Sequence, residues 1–184
     1  MKSVKILYLS LLVVFLASCS SDDDNNLTTN NTITNKITVG DSDFEMKTAI
    51  VEPTLNNSVF LSLTNITQAQ IEDSFNGITL NNVDDFSARI NYSDLTSNVT
   101  YDLSEISSLE FIVDGDVINS EYENGFSLFY KSGANTDLEV SQGSIIVTNY
   151  STDNLTLTFS FVRNDGAEIS GSFNGALMIL DDEE

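Results

Sequence analysis

The chain has 184 residues, with 28 acidic and seven basic side chains, no histidine and one cysteine. Without histidine, Ser-His-Asp catalysis, Cys-His catalysis and histidine metal sites are excluded. The formal net charge of −21 predicts no nucleic-acid partner, because such binding depends on lysine and arginine contacts to phosphate. A single cysteine also leaves no intramolecular disulfide, so stability must come from burial and strand pairing.

Residues 1–18 have the features of a secretory signal peptide. Lys2 and Lys5 precede an apolar run over residues 6–17. A membrane-spanning helix needs about 20 apolar residues, so this run is too short to remain as a transmembrane anchor. A charged start, a short apolar core and small residues at its end are typical of a cleaved export signal.

The end of this segment, Leu16-Ala17-Ser18-Cys19, resembles the lipobox of bacterial lipoproteins. In that family the signal is cut just before the cysteine, after its sulfur has received a diacylglyceryl group. Ser18 departs from the usual Gly or Ala but is also small. The resemblance implies that Cys19 is the lipid attachment site, and two acyl chains make such an anchor stable. The alternative, a buried core cysteine, fits poorly with the polar tract that follows.

Asp22, Asp23 and Asp24 follow the lipobox and resemble the acidic export signal of surface-exposed lipoproteins of the Bacteroidota. The resemblance implies an outer-membrane protein that faces the cell exterior. The alternative is an acidic linker with no export role. Residues 19–35 are polar and low in complexity, which predicts a flexible tether. After signal removal five basic and 28 acidic residues would remain, a charge of −23.

Residues 36–180 are predicted to form a single all-β domain, followed by an acidic tail over residues 181–184. Residues 66–75 are the one helical stretch, with Thr67 as N-cap and Gln70 three residues later; a loop is the alternative. Residues 77–85 are predicted to be a turn. The strands predicted in the first half are residues 36–39, 44–51, 59–63, 86–92 and 99–103.

Turn residues and alternation organise the second half. Asp114-Gly115 lies between two β-branched runs and predicts a tight type I′ hairpin. A three-strand meander follows, with Asn164-Asp165-Gly166 as its last turn and Gly171 and Gly175 allowing close approach of a facing ring. The strands predicted here are residues 109–113, 117–118, 126–131, 144–150, 155–163 and 167–180. Short strands in succession with little helix predict an antiparallel β-sandwich or barrel with meander hairpins.

The sequence contains many carboxylate side chains, which could bind a metal ion or take part in catalysis. Calcium takes several carboxylate and carbonyl oxygens, and its candidate ligands are Asp41 with Asp43, Asp84 with Asp85, and Asp114 with Asp116. None of them has the spacing of an EF-hand, and each acid also serves as a turn former. Otherwise we expect no cofactor. Glu110, beside an apolar run, is the acid to inspect for a raised pKa.

These observations predict a lipid-anchored protein with a non-enzymatic binding or envelope-accessory role. Its partners would be the membrane, through the lipid, and a glycan or an envelope protein. A small glycan hydrolase with paired carboxylates is the alternative. A glycan binder would show exposed aromatic side chains clustered at one end of the sheet, whereas buried tyrosines would only fill the core.

Overall fold

The computed structural model describes residues 35–54, 56–119 and 121–180. Within these residues the chain is mostly β, as predicted, with one helix, α1 (Gln68–Phe75), and two short 3₁₀ turns, Leu103–Glu105 and Thr136–Leu138. The strands in chain order are β1 (Lys36–Val39), β2 (Ser42–Glu45), β3 (Thr48–Thr54), β4 (Ser58–Thr64), β5 (Leu80–Ile90), β6 (Val99–Asp102), β7 (Ile106–Ile118), β8 (Glu121–Glu123), β9 (Phe126–Tyr130), β10 (Val140–Tyr150), β11 (Asn154–Arg163) and β12 (Glu168–Ile179).

The strands form two sheets joined along β12. The first sheet has the order β2-β1-β12-β11-β10-β6, and the second has the order β3-β4-β5-β7, with both β8 and β9 paired to β7. The end of β12 leaves the first sheet and pairs in parallel with β3, Leu177 opposite Ala49. That parallel pair makes the arrangement mixed, whereas the other pairs of named strands are antiparallel, as predicted. The terminal strands of the path, β6 and β8, do not pair with each other, so the sheet is open.

Phenylalanine rings hold the two sheets face to face. Phe86 on β5 stacks on Phe159 on β11, with ring centroids 4.5 Å apart and planes 8° apart. Phe44 on β2 meets Phe111 on β7 edge-on at 5.2 Å. All except Phe44 are buried, because alternation along each strand sends every second side chain inward. Contact between two open sheets through one core favours the sandwich alternative.

The C-terminal meander and the helix confirm the sequence prediction. In β11 the alternating apolar residues are all buried, and the threonines between them lie on the other face. Gly171 on β12 is opposite Phe159, and a Cβ added there would lie 2.1 Å from the ring, so the predicted close approach occurs. Helix α1 begins after Thr67, and the predicted capping box with Gln70 is present.

The Asp114-Gly115 hairpin prediction was wrong. Both residues lie inside β7, which runs without a break from Ile106 to Ile118. Asp114 does have the expected positive φ, 54°, but it lies where the register between β5 and β7 is irregular. The hairpin closes further on, where Ile118 pairs with Glu121. An Asp-Gly pair thus makes a bulge here instead of a turn.

Two other boundaries also differ from the predictions. The turn predicted over residues 77–85 ends early, because β5 already begins at Leu80 and Asp85 lies within it. The strand predicted over residues 44–51 is divided between β2 and β3, with Met46 and Lys47 between them. The first of these differences matters for function, since it places Asp85 in the sheet.

Candidate functional site

Two acids lie on the outer face of the second sheet, opposite the face that packs in the core. Asp85 precedes Phe86 on β5, and Glu110 precedes Phe111 on β7. Both phenylalanines are fully buried, so alternation directs both carboxyls outward, and each acid is half-buried. Charged side chains are seldom buried unless they have partners, which makes this position unusual.

Each of these carboxyls accepts a hydrogen bond from a serine on an adjacent strand. The Ser62 hydroxyl on β4 donates to Oδ1 of Asp85, and the Ser127 hydroxyl on β9 donates to Oε1 of Glu110. We call these four residues, Ser62, Asp85, Glu110 and Ser127, the carboxyl stripe. The stripe crosses four neighbouring strands and provides one hydroxyl donor for each acid.

The two acids of the stripe are diagonal neighbours across β5 and β7. Asp85 is opposite Ile112, and Glu110 is opposite Ser87 two positions along. Diagonal positions on one face of an antiparallel pair are about 7–8 Å apart, which long side chains can bridge. The two carboxyls therefore influence each other electrostatically.

The pKa of the Asp85 carboxyl is raised to about 6: burial is the largest cause, the hydrogen bond from Ser62 acts in the opposite direction, and the charge of Glu110 adds a smaller rise. Burial dominates because an ionised carboxylate loses its hydration in an enclosed site. The residue as a whole keeps some exposed area, yet its carboxyl is almost completely desolvated. Burial also raises the pKa of the adjacent Asp84.

A small apolar layer covers part of this outer face. It is built around α1, whose Ile71 points into it, and the segment that leads into β5. The Thr48 hydroxyl on β3 donates to the Ile66 carbonyl at 2.7 Å and ties the layer to the sheet. We call this layer the α1 cover. Its buried residues are Ile66, Ile71, Leu80 and Val83, with Ile50, Val117, Tyr122 and Met178 packed against them.

Tyr122 on β8 belongs to the α1 cover and lies beside the carboxyl stripe. Its hydroxyl donates to the Val83 carbonyl. A Cβ at Gly115 would lie 2.2 Å from the Tyr122 ring, so glycine leaves the space that the ring fills. Burial raises the pKa of Tyr122 above its usual range, and the charge of Asp85 adds to that effect.

A groove of about 390 Å³ lies beside Glu110 on the same sheet. Glu110, Ser87 and Ser108 are among the residues that line it. Lys131 also borders the groove, but its ammonium donates to the Leu103 carbonyl at 2.9 Å and to the Ile106 carbonyl. Hydroxyls and a carboxylate can accept and donate hydrogen bonds to a polar ligand.

The calcium candidates of the first hairpin have other partners. Asp43 accepts from Lys36 Nζ at 2.7 Å and from the Thr38 hydroxyl at 2.6 Å. The hydrogen bond from Lys36 holds the pKa of Asp43 below its usual value, with a further contribution from Thr38. Asp41 is exposed in the turn between β1 and β2. Asp43 is thus used in an ion pair at the surface.

The calcium pair Asp114 and Asp116 is divided between separate contacts. The Asp114 amide donates to Oδ1 of Asp84 at 3.1 Å, and Asp116 accepts from the Asn124 side chain at 3.2 Å. Among the residues that the structure describes, no three His, Cys, Asp or Glu side chains are grouped to hold a metal ion. Calcium binding stays a prediction.

The tyrosines do not form an exposed aromatic cluster in the described part of the chain. Tyr92 is the exposed one; its ring meets Tyr101 edge-on at 5.3 Å, and its hydroxyl donates to Glu105. Tyr101 and Tyr130 are buried, whereas Tyr122 and Tyr150 are half-buried. This distribution favours core filling over an aromatic glycan platform.

The remaining predicted site residues, Cys19, Asp22, Asp23 and Asp24, lie outside the described residues. Neither the helix nor the 3₁₀ turns of the described part have the length and apolar character of a membrane span. A scan of protein-family models, a search of curated proteins and a search of solved structures each returned no match to this chain.

Proposed function

We propose that the protein is anchored by lipid at Cys19 to the outer membrane and faces the cell exterior. Its role would be binding or envelope support without catalysis. The observation that carries this proposal is the N-terminal sequence, in which a short export signal ends at the only cysteine of the chain. The lipobox resemblance implies that this sulfur carries the lipid. The chain has no second cysteine with which it could form a disulfide.

The folded part of the chain supports an anchored binding role. The first described strand begins at Lys36, 17 residues after Cys19, so a lipid at Cys19 would lie outside the sequence of the sandwich. The strong negative charge disfavours anionic partners and favours neutral or cationic ones. The serine-lined groove beside Glu110 is the candidate binding surface for a glycan or a segment of an envelope protein.

A small glycan hydrolase receives less support from the same groove. Such enzymes place two carboxyls on opposite sides of the scissile bond. Glu110 lines the groove, whereas Asp85 is absent from its lining. We therefore prefer binding as the role of this surface.

Replacing Cys19 with alanine should move the protein from the outer-membrane fraction to the soluble fraction of cells, because the acyl chains supply the attachment. Ser18→Ala is the matched control, since it restores a residue usual in the lipobox and should leave the protein in the membrane. Fractionation and immunoblotting in a Bacteroidota host measure both. A soluble wild-type protein, or a Cys19→Ala variant that stays in the membrane, would contradict the anchor.

The same cells test the outward orientation. Protease added to intact cells should degrade the wild-type protein, whereas a variant with Asp22, Asp23 and Asp24 changed to asparagine should be protected in the periplasm. A periplasmic marker controls for cell integrity. Wild-type protein that is membrane-bound but resists the protease would show that it faces inward.

A further inference from the structure

We propose that Asp85, the diagonal neighbour of Glu110 across β5 and β7, carries a proton in mildly acidic medium, and that release of this proton to solvent near neutral pH loosens the α1 cover. The inference is independent of the lipid anchor and of any ligand. It concerns the charge on the outer face of the second sheet, and therefore the charge beside the groove that Glu110 lines.

The geometry of the carboxyl stripe supports a proton on Asp85. The two acids are diagonal neighbours on one face of β5 and β7, so two negative charges there would repel each other. Within the described residues each acid accepts from one serine of an adjacent strand, Ser62 for Asp85 and Ser127 for Glu110. One hydroxyl stabilises a carboxylate less than the two or three donors that usually accompany a buried charge. A proton on one carboxyl removes the repulsion.

The groups around Asp85 explain why the proton resides there. The nearby titratable groups are Glu110 on β7, Tyr122 on β8 and the adjacent Asp84, and none of them supplies a positive charge. Ser62 is the neighbour on β4. The carboxyl is desolvated, and this raises its pKa most strongly.

The α1 cover is the element that responds. Tyr122 and Val83 both belong to this cover, and the Tyr122 hydroxyl donates a hydrogen bond to the Val83 carbonyl. Tyr122 also lies close enough to Asp85 to interact with its charge. A newly ionised Asp85 regains hydration if the cover opens. Opening therefore becomes easier as the proton leaves, because a carboxyl whose pKa is higher in the closed state destabilises that state when it ionises.

The sign and size of the effect follow from linkage. The closed form binds the proton more tightly, so the cover is most stable at low pH and becomes less stable as pH rises from about 4 through about 6. If opening restores the ordinary pKa of Asp85, the opening equilibrium should increase about tenfold between pH 5 and pH 7.5. This direction is opposite to that of a salt-bridged carboxylate.

The test is hydrogen exchange of the α1 amides in the full chain, purified in detergent, with an NMR titration of the Asp85 side-chain carboxyl. In the wild type, α1 protection, corrected for intrinsic exchange, should fall about tenfold between pH 5 and pH 7.5. Asp85→Asn keeps an acceptor for Ser62 and should abolish this pH dependence. Glu121→Gln, at an exposed acid on β8, is the control and should retain it.

Two neighbouring substitutions keep the proposal testable if Asp85→Asn does not fold. Glu110→Gln removes the repelling charge and should shift the Asp85 midpoint to lower pH. Ser62→Ala removes the hydroxyl donor and should shift it to higher pH. A midpoint near pH 4 that neither substitution moves, or an unchanged pH dependence in Asp85→Asn, would overturn the proposal.

Discussion

Replacing Phe159 with alanine should lower the free energy of unfolding by about 3–5 kcal/mol. The side chain is 3% exposed, stacks on Phe86 across the two sheets and covers Gly171 on the neighbouring strand. Its removal takes away buried apolar area and leaves a cavity between rings that cannot fully close. Chemical denaturation followed by circular dichroism would measure the loss.

Phe126→Ala is the matched control for this experiment. Phe126 is also on a strand, but 54% of its side chain is exposed, so the same truncation should change stability by no more than about 0.5 kcal/mol. Equal effects of the two substitutions would contradict a core formed between the sheets by Phe86 and Phe159.

Replacing Gly143 with alanine should lower the free energy of unfolding by about 2–5 kcal/mol, because backbone strain and a steric clash combine at this position. The residue lies in β10 opposite Phe161, with a φ of +140° that L side chains rarely adopt. A Cβ would also lie 2.2 Å from the Ser160 carbonyl oxygen. That neighbour is backbone, so relief requires the paired strand to move.

Gly40→Ala separates the two penalties, and the same denaturation experiment measures both variants. Gly40 has a φ of +57°, but no atom lies within 4 Å of an added Cβ. The Gly40→Ala substitution should lower the free energy of unfolding by only about 1–2 kcal/mol, the usual effect of a left-handed backbone conformation in a residue with a side chain. If Gly143→Ala lowered the free energy of unfolding by no more than Gly40→Ala, this would contradict the close contact between β10 and β11.

The sequence was most informative where alternation was regular and the partners were adjacent in the chain. The meander of β10, β11 and β12 has inward and outward residues that follow a period of two, and its turn at Asn164-Asp165-Gly166 joins strands that pair directly. Helix α1 was recognisable because its capping box is a local signal between Thr67 and Gln70. Neither feature depends on a distant partner.

Other features depended on distant pairing and could not be read locally. The segment before Phe86 is rich in Asn and Asp and has the composition of a turn, yet pairing with β7 draws residues from Leu80 onward into the sheet. Asn82, with a φ of 57°, lies where the register between β5 and β7 is irregular. The same pairing turns Asp114-Gly115 into a bulge, and β12 meets β3 across more than a hundred intervening residues.

The carboxyl stripe was missed for the same reason. Asp85 was interpreted as a turn residue, and its closeness to Glu110 follows only from the register of β5 against β7. Ser62 gave a weak local signal, since it is a hydroxyl between Leu61 and Leu63 in a strand whose inner face is apolar. Glu110 attracted attention because of its apolar neighbours, whereas the register places it beside Asp85, whose pKa is raised by burial.

The central claim is the lipid anchor, and intact-mass spectrometry of the protein extracted from cell membranes tests it most directly. We predict a chain that begins at Cys19, with the mass of residues 19–184 increased by a diacylglyceryl group on sulfur. A chain that still contains residues 1–18, or one that begins elsewhere without added lipid, would contradict the claim.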